Sequence, residues 1–173
     1  EAALARIVGS DVRFVVAGAP ARSKADYAPF IAGREKVSLL FGRTYDVLRF
    51  ADAAVINSGT ASLEAVLIGT PQVVCWNTSP LTMWLGRKVL RVMDHIRFIS
   101  LGNLCIDRAA FRELIQEDFT AEATSDEVRR LVEDAVYRDR MLADYAEIRR
   151  LLGGSGASRA VARAMMEEIR KRG

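Results

Sequence analysis

Through its first 105 residues the chain alternates short, β-rich apolar runs with helix-compatible segments, and this alternation constrains the fold more than any other feature. The runs are Val12-Arg13-Phe14-Val15-Val16-Ala17, Val37-Ser38-Leu39-Leu40-Phe41, Ala53-Ala54-Val55-Ile56, Gln72-Val73-Val74-Cys75-Trp76 and Phe98-Ile99-Ser100. Between them, segments 24–32, 45–51, 61–68 and 81–92 read as helices, the first stopped by Gly33 and the third by Gly69 ahead of Pro71. Near-continuous apolar strands separated by helices predict a parallel sheet covered on both faces. The expected class is α/β, a Rossmann-like parallel sheet flanked by helices.

The last third reads as all helical. Thr124 and Glu127 have capping-box spacing. Val128, Leu131, Val132, Ala135 and Val136 then follow a 3.6-residue period, continued by Met141, Leu142, Tyr145, Ile148 and Leu152. Gly153-Gly154-Ser155-Gly156 is a flexible break, and a final amphipathic helix carries Val161, Met165 and Ile169. The expected division is a Rossmann-like domain over 1–123 and C-terminal helices over 124–173.

Composition excludes several classes. Half of the 173 residues are hydrophobic and 27% are charged, as in an ordinary globular domain. No apolar run reaches the roughly 20 residues of a membrane-spanning helix. One histidine, His95, and two cysteines, Cys75 and Cys105, lack zinc-site spacing, so no metal or cofactor is expected. The cysteines read as reduced core thiols and His95 as a surface or cleft-edge residue. The net charge of +3 comes with no dense basic run and no nucleic-acid motif. The start, Glu1-Ala2-Ala3-Leu4-Ala5-Arg6, has no initiator Met and reads as the middle of a helix, so a fragment is expected.

The segment that carries chemistry runs from the third strand into the next helix, with a tight turn at Asn57-Ser58-Gly59-Thr60-Ala61. The first N–H groups of a helix have no intrahelical acceptor, and the macrodipole adds partial positive charge there. Gly59 leaves room for an approaching group, and Ser58 and Thr60 add hydroxyls. Such a turn suits a diphosphate. It also suits a plain N-cap in which Ser58 or Thr60 satisfies the helix start. Glu64 lies one turn on, among Ala61, Leu63, Ala65, Val66, Leu67 and Ile68, and needs a polar partner there. A carboxylate at that distance is placed to accept from a ribose diol.

Asn57-Ser58-Gly59-Thr60-Ala61-Ser62-Leu63-Glu64, then Gly69-Thr70-Pro71, resemble the C-terminal domain of the lipid-A-disaccharide synthases. Ser79-Pro80-Leu81-Thr82, Trp84-Leu85, Ile99-Ser100-Leu101-Gly102-Asn103-Leu104 and Glu113-Leu114-Ile115-Gln116-Glu117-Asp118 continue the match in order, as does the Gly153–Gly156 break. The resemblance implies the C-terminal half of a two-Rossmann-domain (GT-B) glycosyltransferase. That family transfers diacylated glucosamine from UDP to diacylated glucosamine 1-phosphate and makes the β-1,6-linked lipid A precursor. By resemblance Ser58, Gly59, Thr60 and Ala61 face the UDP diphosphate, and Glu64 holds the ribose. Phe41 marks the backbone that contacts uracil, and Asn103 is an active-site residue facing the cleft.

Two departures stand out: Gly102 replaces the Pro of many relatives, and the family's Pro-Gly-Ser-Arg loop and N-terminal domain are absent. The chain alone is therefore expected to bind donor without turning over. Another UDP-GlcNAc-dependent enzyme of the same architecture, a peptidoglycan-type transferase or a 2-epimerase, is the alternative.

On a helical wheel over 81–92, Trp84 falls among Arg87, Lys88 and Arg91. That suits a membrane interface and equally a protein contact. The family resemblance implies acylated substrates, a peripheral position on the cytoplasmic face of the bacterial inner membrane, and a C-terminal segment that crosses to the other domain or to a second subunit of a homodimer.

Overall fold

The computed structural model describes residues 12–57, 59–78, 97–153 and 156–172. The helix read at 81–92, with Trp84, Arg87, Lys88 and Arg91, lies outside the described residues, as do His95 and Ser58.

The described residues form five strands: β1 (Phe14–Gly18), β2 (Val37–Phe41), β3 (Ala54–Asn57), β4 (Gln72–Trp76) and β5 (Glu113–Ile115). Helices α1 (Lys24–Ile31), α2 (Thr44–Phe50) and α3 (Thr60–Ile68) alternate with the first four. Then come α4 (Leu101–Ile106), a 3₁₀ turn (Gln116–Asp118), α5 (Ala121–Glu133), α6 (Ala135–Leu152) and α7 (Ala157–Arg172). Every strand pair is parallel, as the βαβ pattern predicts.

The expected single sheet is divided: β1 pairs with β2, while β3, β4 and β5 form a second sheet in that order. Coverage differs as well. The central strand β4 is buried along nearly its whole length, whereas β1, β2 and β3 alternate, with Val15 and Val55 about half exposed. An apolar run reports β-propensity but not which edge pairs with which, so the sequence shows strands and not their partners.

The fifth strand is not 98–100. Those residues bend, Ser100 is the N-cap of α4, and the edge strand is Glu113–Ile115. The short apolar pair Phe98-Ile99 imitated a strand. The capping box read at Thr124 and Glu127 is also displaced. α5 starts a turn earlier, capped by Thr120, whose hydroxyl accepts from the Ala123 N–H at 3.0 Å. Thr124 instead donates to the Thr120 carbonyl at 2.7 Å. Glu127 is buried, accepting from the Tyr137 hydroxyl at 2.6 Å and facing Arg112 at 3.4 Å. Burial and this carboxylate hold the Tyr137 phenol above its ordinary value.

One core joins the β4–β5 sheet to the last helices. Val66 of α3, Val73, Val74 and Cys75 of β4, and Phe111 and Leu114 pack with Val128 and Leu131 of α5 and with Met141, Tyr145 and Ile148 of α6. The Phe111 and Tyr145 rings meet edge-on at 6.0 Å. The period therefore identified most of the inward face of α5 and α6, but Val132, Ala135 and Val136 around the Asp134 break and Leu152 at the end of α6 are exposed. Cys75 is in the core as expected, whereas Cys105 is exposed.

Candidate functional site

The site is built at the start of α3. Gly59 is its N-cap, with φ 154° and ψ −160°, a conformation essentially confined to glycine. Among the described residues no atom lies within 4 Å of where a Cβ at Gly59 would stand, so the turn is open to them on that side. Ser62, fully buried, folds back and donates to the Gly59 carbonyl at 2.8 Å. The turn is thus closed from beneath by the residue at the third helical position. Behind it, the Gln72 side chain donates to the Ser62 carbonyl at 2.9 Å. At the other end Gly69 takes φ 100°, and the Gly69 and Thr70 N–H groups both donate to the Ala65 carbonyl, while the Thr70 hydroxyl donates to the Leu48 carbonyl at 2.7 Å. The helix is fixed at both ends and free at the mouth of its first turn.

That first turn contains no acidic residue. The macrodipole of α3 has no carboxylate of its own helix beside it there, and an external anion meets partial positive charge. Thr60 is exposed, and Ala61 and Glu64 are half-buried. Glu64 therefore sits at the fifth helical position, past the orphan N–H groups. The Tyr45 phenol, at the start of α2, stands 3.5 Å from Glu64 Oε1.

Phe41 ends β2 and belongs to the other sheet. Its ring meets Tyr27 edge-on at 5.8 Å and lies over Gly18, where any Cβ would stand 2.3 Å from the ring. The Ala19 N–H donates to the Tyr27 hydroxyl at 2.8 Å. Gly59, Thr60, Ala61 and Glu64 are thus brought together on one helix start, with Phe41 at the end of the separate β1–β2 pair and Tyr45 reaching across.

Asn103 is placed differently. It is fully buried, and all four hydrogen-bonding positions of its amide are taken. Its Nδ2 donates to the Phe111 carbonyl at 3.0 Å and to Glu113 Oε1 at 2.8 Å, and its Oδ1 accepts from the Ala110 and Phe111 N–H groups at 2.8 and 3.3 Å. In this arrangement the Asn103 amide braces α4 against the segment that leads into β5. Glu113 also accepts from the Ile99 and Ser100 N–H groups at 2.9 and 3.0 Å and from the Ser100 hydroxyl. A carboxylate on β5 therefore caps the start of α4. The two sequence blocks that carried the resemblance, 99–104 and 113–118, bind one another.

A family model described as lipid-A-disaccharide synthetase matches residues 9–165. The chain belongs to the lipid-A-disaccharide synthetase family. Relatives named lipid-A-disaccharide synthase include one from Geobacter sulfurreducens, 33% identical over 162 residues, which are 93% of this chain and 41% of the relative. One from Anaeromyxobacter dehalogenans is 35% identical over 95% of this chain and 43% of its own length. One from Myxococcus xanthus is 41% identical over 75% of this chain and 33% of its own length. The chain spans about two fifths of the length of the first of these curated relatives.

Family membership draws attention to residues that sequence reasoning passed over. Glu113 and Gln116 entered only as letters of a matching block, yet their side chains hold backbone on either side of residues 79–96. Tyr45 was read only as part of a helix. A glutamate three residues before a glutamine on an edge strand carries no pattern that would have marked either. Gly102, the departure from the family's Pro, is the second residue of α4, and a Cβ there would stand 2.9 Å from the buried Phe111 ring. The ring occupies the space that the missing side chain leaves. Among the described residues no helix is long and apolar enough to cross a membrane.

Proposed function

We propose that this chain supplies the UDP-sugar donor site of a glycosyltransferase that joins two acylated glucosamines into the β-1,6-linked lipid A disaccharide. The observation that carries this reading is the start of α3: a glycine-only turn, open at Gly59, on a helix with no carboxylate in its first turn and with Glu64 one turn further on. The N–H groups of this turn, with Ser58, Gly59, Thr60 and Ala61, face the diphosphate, and Glu64 accepts from the ribose hydroxyls. The backbone at Phe41 contacts uracil. The chemistry of transfer, with its acidic residue and the acceptor site, belongs to the rest of the longer enzyme.

In this reading residues 1–123 form the donor domain and 124–173 the helices packed on it. Val161, Met165 and Ile169 of α7, all exposed, supply a face for the remainder of the enzyme or for a second subunit. The enzyme works peripherally on the cytoplasmic face of the inner membrane, where its acylated substrates reside, and Trp84, Arg87, Lys88 and Arg91 contact that surface. Flotation with anionic vesicles tests this last point: Trp84→Ala combined with Arg87→Ser and Lys88→Ser reduces binding, and unchanged binding removes the contact.

Titration of the chain with UDP, followed by backbone amide resonances, tests the donor site. The amides of residues 58–61 shift first and furthest. Shifts confined to other elements overturn the proposal.

A further inference from the structure

Gln116 is one of two non-glycine residues among those described that adopt a positive φ, here 51°. That conformation favours Gly or Asn, so a glutamine there is held by something else. Its side chain reaches back 38 residues in sequence to Thr78. Oε1 accepts from the Thr78 N–H at 3.1 Å, and Nε2 donates to the Thr78 carbonyl at 3.3 Å. One amide thus pairs with both backbone groups of a single residue, as a neighbouring strand would.

Thr78 and the donor turn both lie past the carboxyl end of the β3–β4 pair. β3 and β4 run parallel in register, with Asn57 opposite Cys75 in the last rung. Thr78 lies three residues past that rung, about 10 Å further along the strand direction, on the same carboxyl end of the sheet as Gly59. Residues 77–78 follow directly on β4, at the end of the sheet where the helix start that the diphosphate is proposed to approach also lies. Three residues before Gln116, the Glu113 carboxylate fixes the Ile99 and Ser100 N–H groups.

We infer that Gln116 is a positioning residue for the donor site, its left-handed backbone aiming an amide that holds the Thr78 backbone as one wall beside the Gly59 turn. The inference rests on the donor-site reading above. It extends that reading to the 3₁₀ turn that follows β5.

The test uses Gln116→Gly and Gln116→Asn in the full chain. Both residues tolerate φ near 51°, and neither reaches Thr78 with the full amide. The expected result is a melting temperature equal to or above the parent's, a Thr78 amide that exchanges with solvent about tenfold faster or more, and a UDP dissociation constant raised about five- to tenfold. Gln116→Glu keeps the acceptor for the Thr78 N–H but loses the donor for its carbonyl, and falls between. Unchanged UDP affinity in both variants overturns the inference, provided Glu64→Ala weakens UDP in the same assay. If Glu64→Ala also has no effect, it is the donor-site reading that fails. A large fall in melting temperature in both variants makes Gln116 a folding residue and likewise overturns the inference.

Discussion

The amide of Asn103, in α4, donates to Glu113 Oε1, on β5 and 10 residues further along the chain, at 2.8 Å. The same carboxylate receives the N–H groups at the start of α4. Asn103→Ala takes one donor from the half-buried Glu113 and removes the side-chain partners of the Phe111 N–H and carbonyl. Unpartnered buried groups cost about 1–3 kcal/mol each, so urea unfolding shows a loss of about 2–4 kcal/mol. UDP affinity in the folded variant stays within about twofold. A stable variant that has lost UDP binding contradicts the bracing role assigned to Asn103.

Gly59→Ala has room for its methyl group and no suitable backbone. The cost is conformational, about 1–3 kcal/mol, and the methyl projects into the space from which the ligand arrives. Chemical denaturation and UDP calorimetry both register the change. A variant with parental UDP affinity shows that the open side of the turn is not the approach path.

Gly102→Ala tests the close approach of the Phe111 ring to α4. The added Cβ lies 2.9–3.0 Å from the Phe111 ring, which is 1% exposed and packed into the main core. Overpacking of this kind costs about 1–3 kcal/mol. Gly102→Ala with Phe111→Leu recovers part of the loss in a double-mutant cycle.

The two thiols separate by environment. Burial pushes Cys75 up to about 11, while Cys105 is exposed. An aromatic disulfide reagent modifies one thiol in the native chain and two after unfolding. Because Cys75 stays protonated longer in the folded state than its ordinary value of 9.0 allows in the unfolded one, its contribution is complete below pH 9 and is lost as pH rises towards 11. Two units correspond to about 2–3 kcal/mol. The alkaline fall in stability is correspondingly shallower in Cys75→Ala, and identical slopes in the two proteins contradict the assignment.

Periodicity revealed β2, β4 and α7 with their observed ends, because each is a local apolar or amphipathic pattern bounded by Gly, Pro or polar residues. It placed Val128, Leu131, Met141, Tyr145 and Ile148 inward for the same reason. It did not reveal that β1–β2 and β3–β4–β5 are separate sheets, since strand pairing depends on distant edges. It mistook Phe98-Ile99-Ser100 for a strand, because a helix capped from 13 residues away by Glu113 carries no local signal. The placement of Gly59 and Glu64 around a strand end and a helix start was legible from the sequence. The partners of Asn103 were not, because a motif letter does not say which way a side chain points, and here it engages Ala110, Phe111 and Glu113.

The central claim is that Glu64 belongs to a nucleoside diphosphate site and not merely to the surface of α3. Calorimetric titration of parent and Glu64→Ala with UDP and with inorganic pyrophosphate tests it most directly. A hydrogen bond to a charged group contributes about 1.5–3 kcal/mol, so UDP affinity falls about tenfold or more while pyrophosphate affinity is unchanged. Equal losses for the two ligands, or none for UDP, contradict the account.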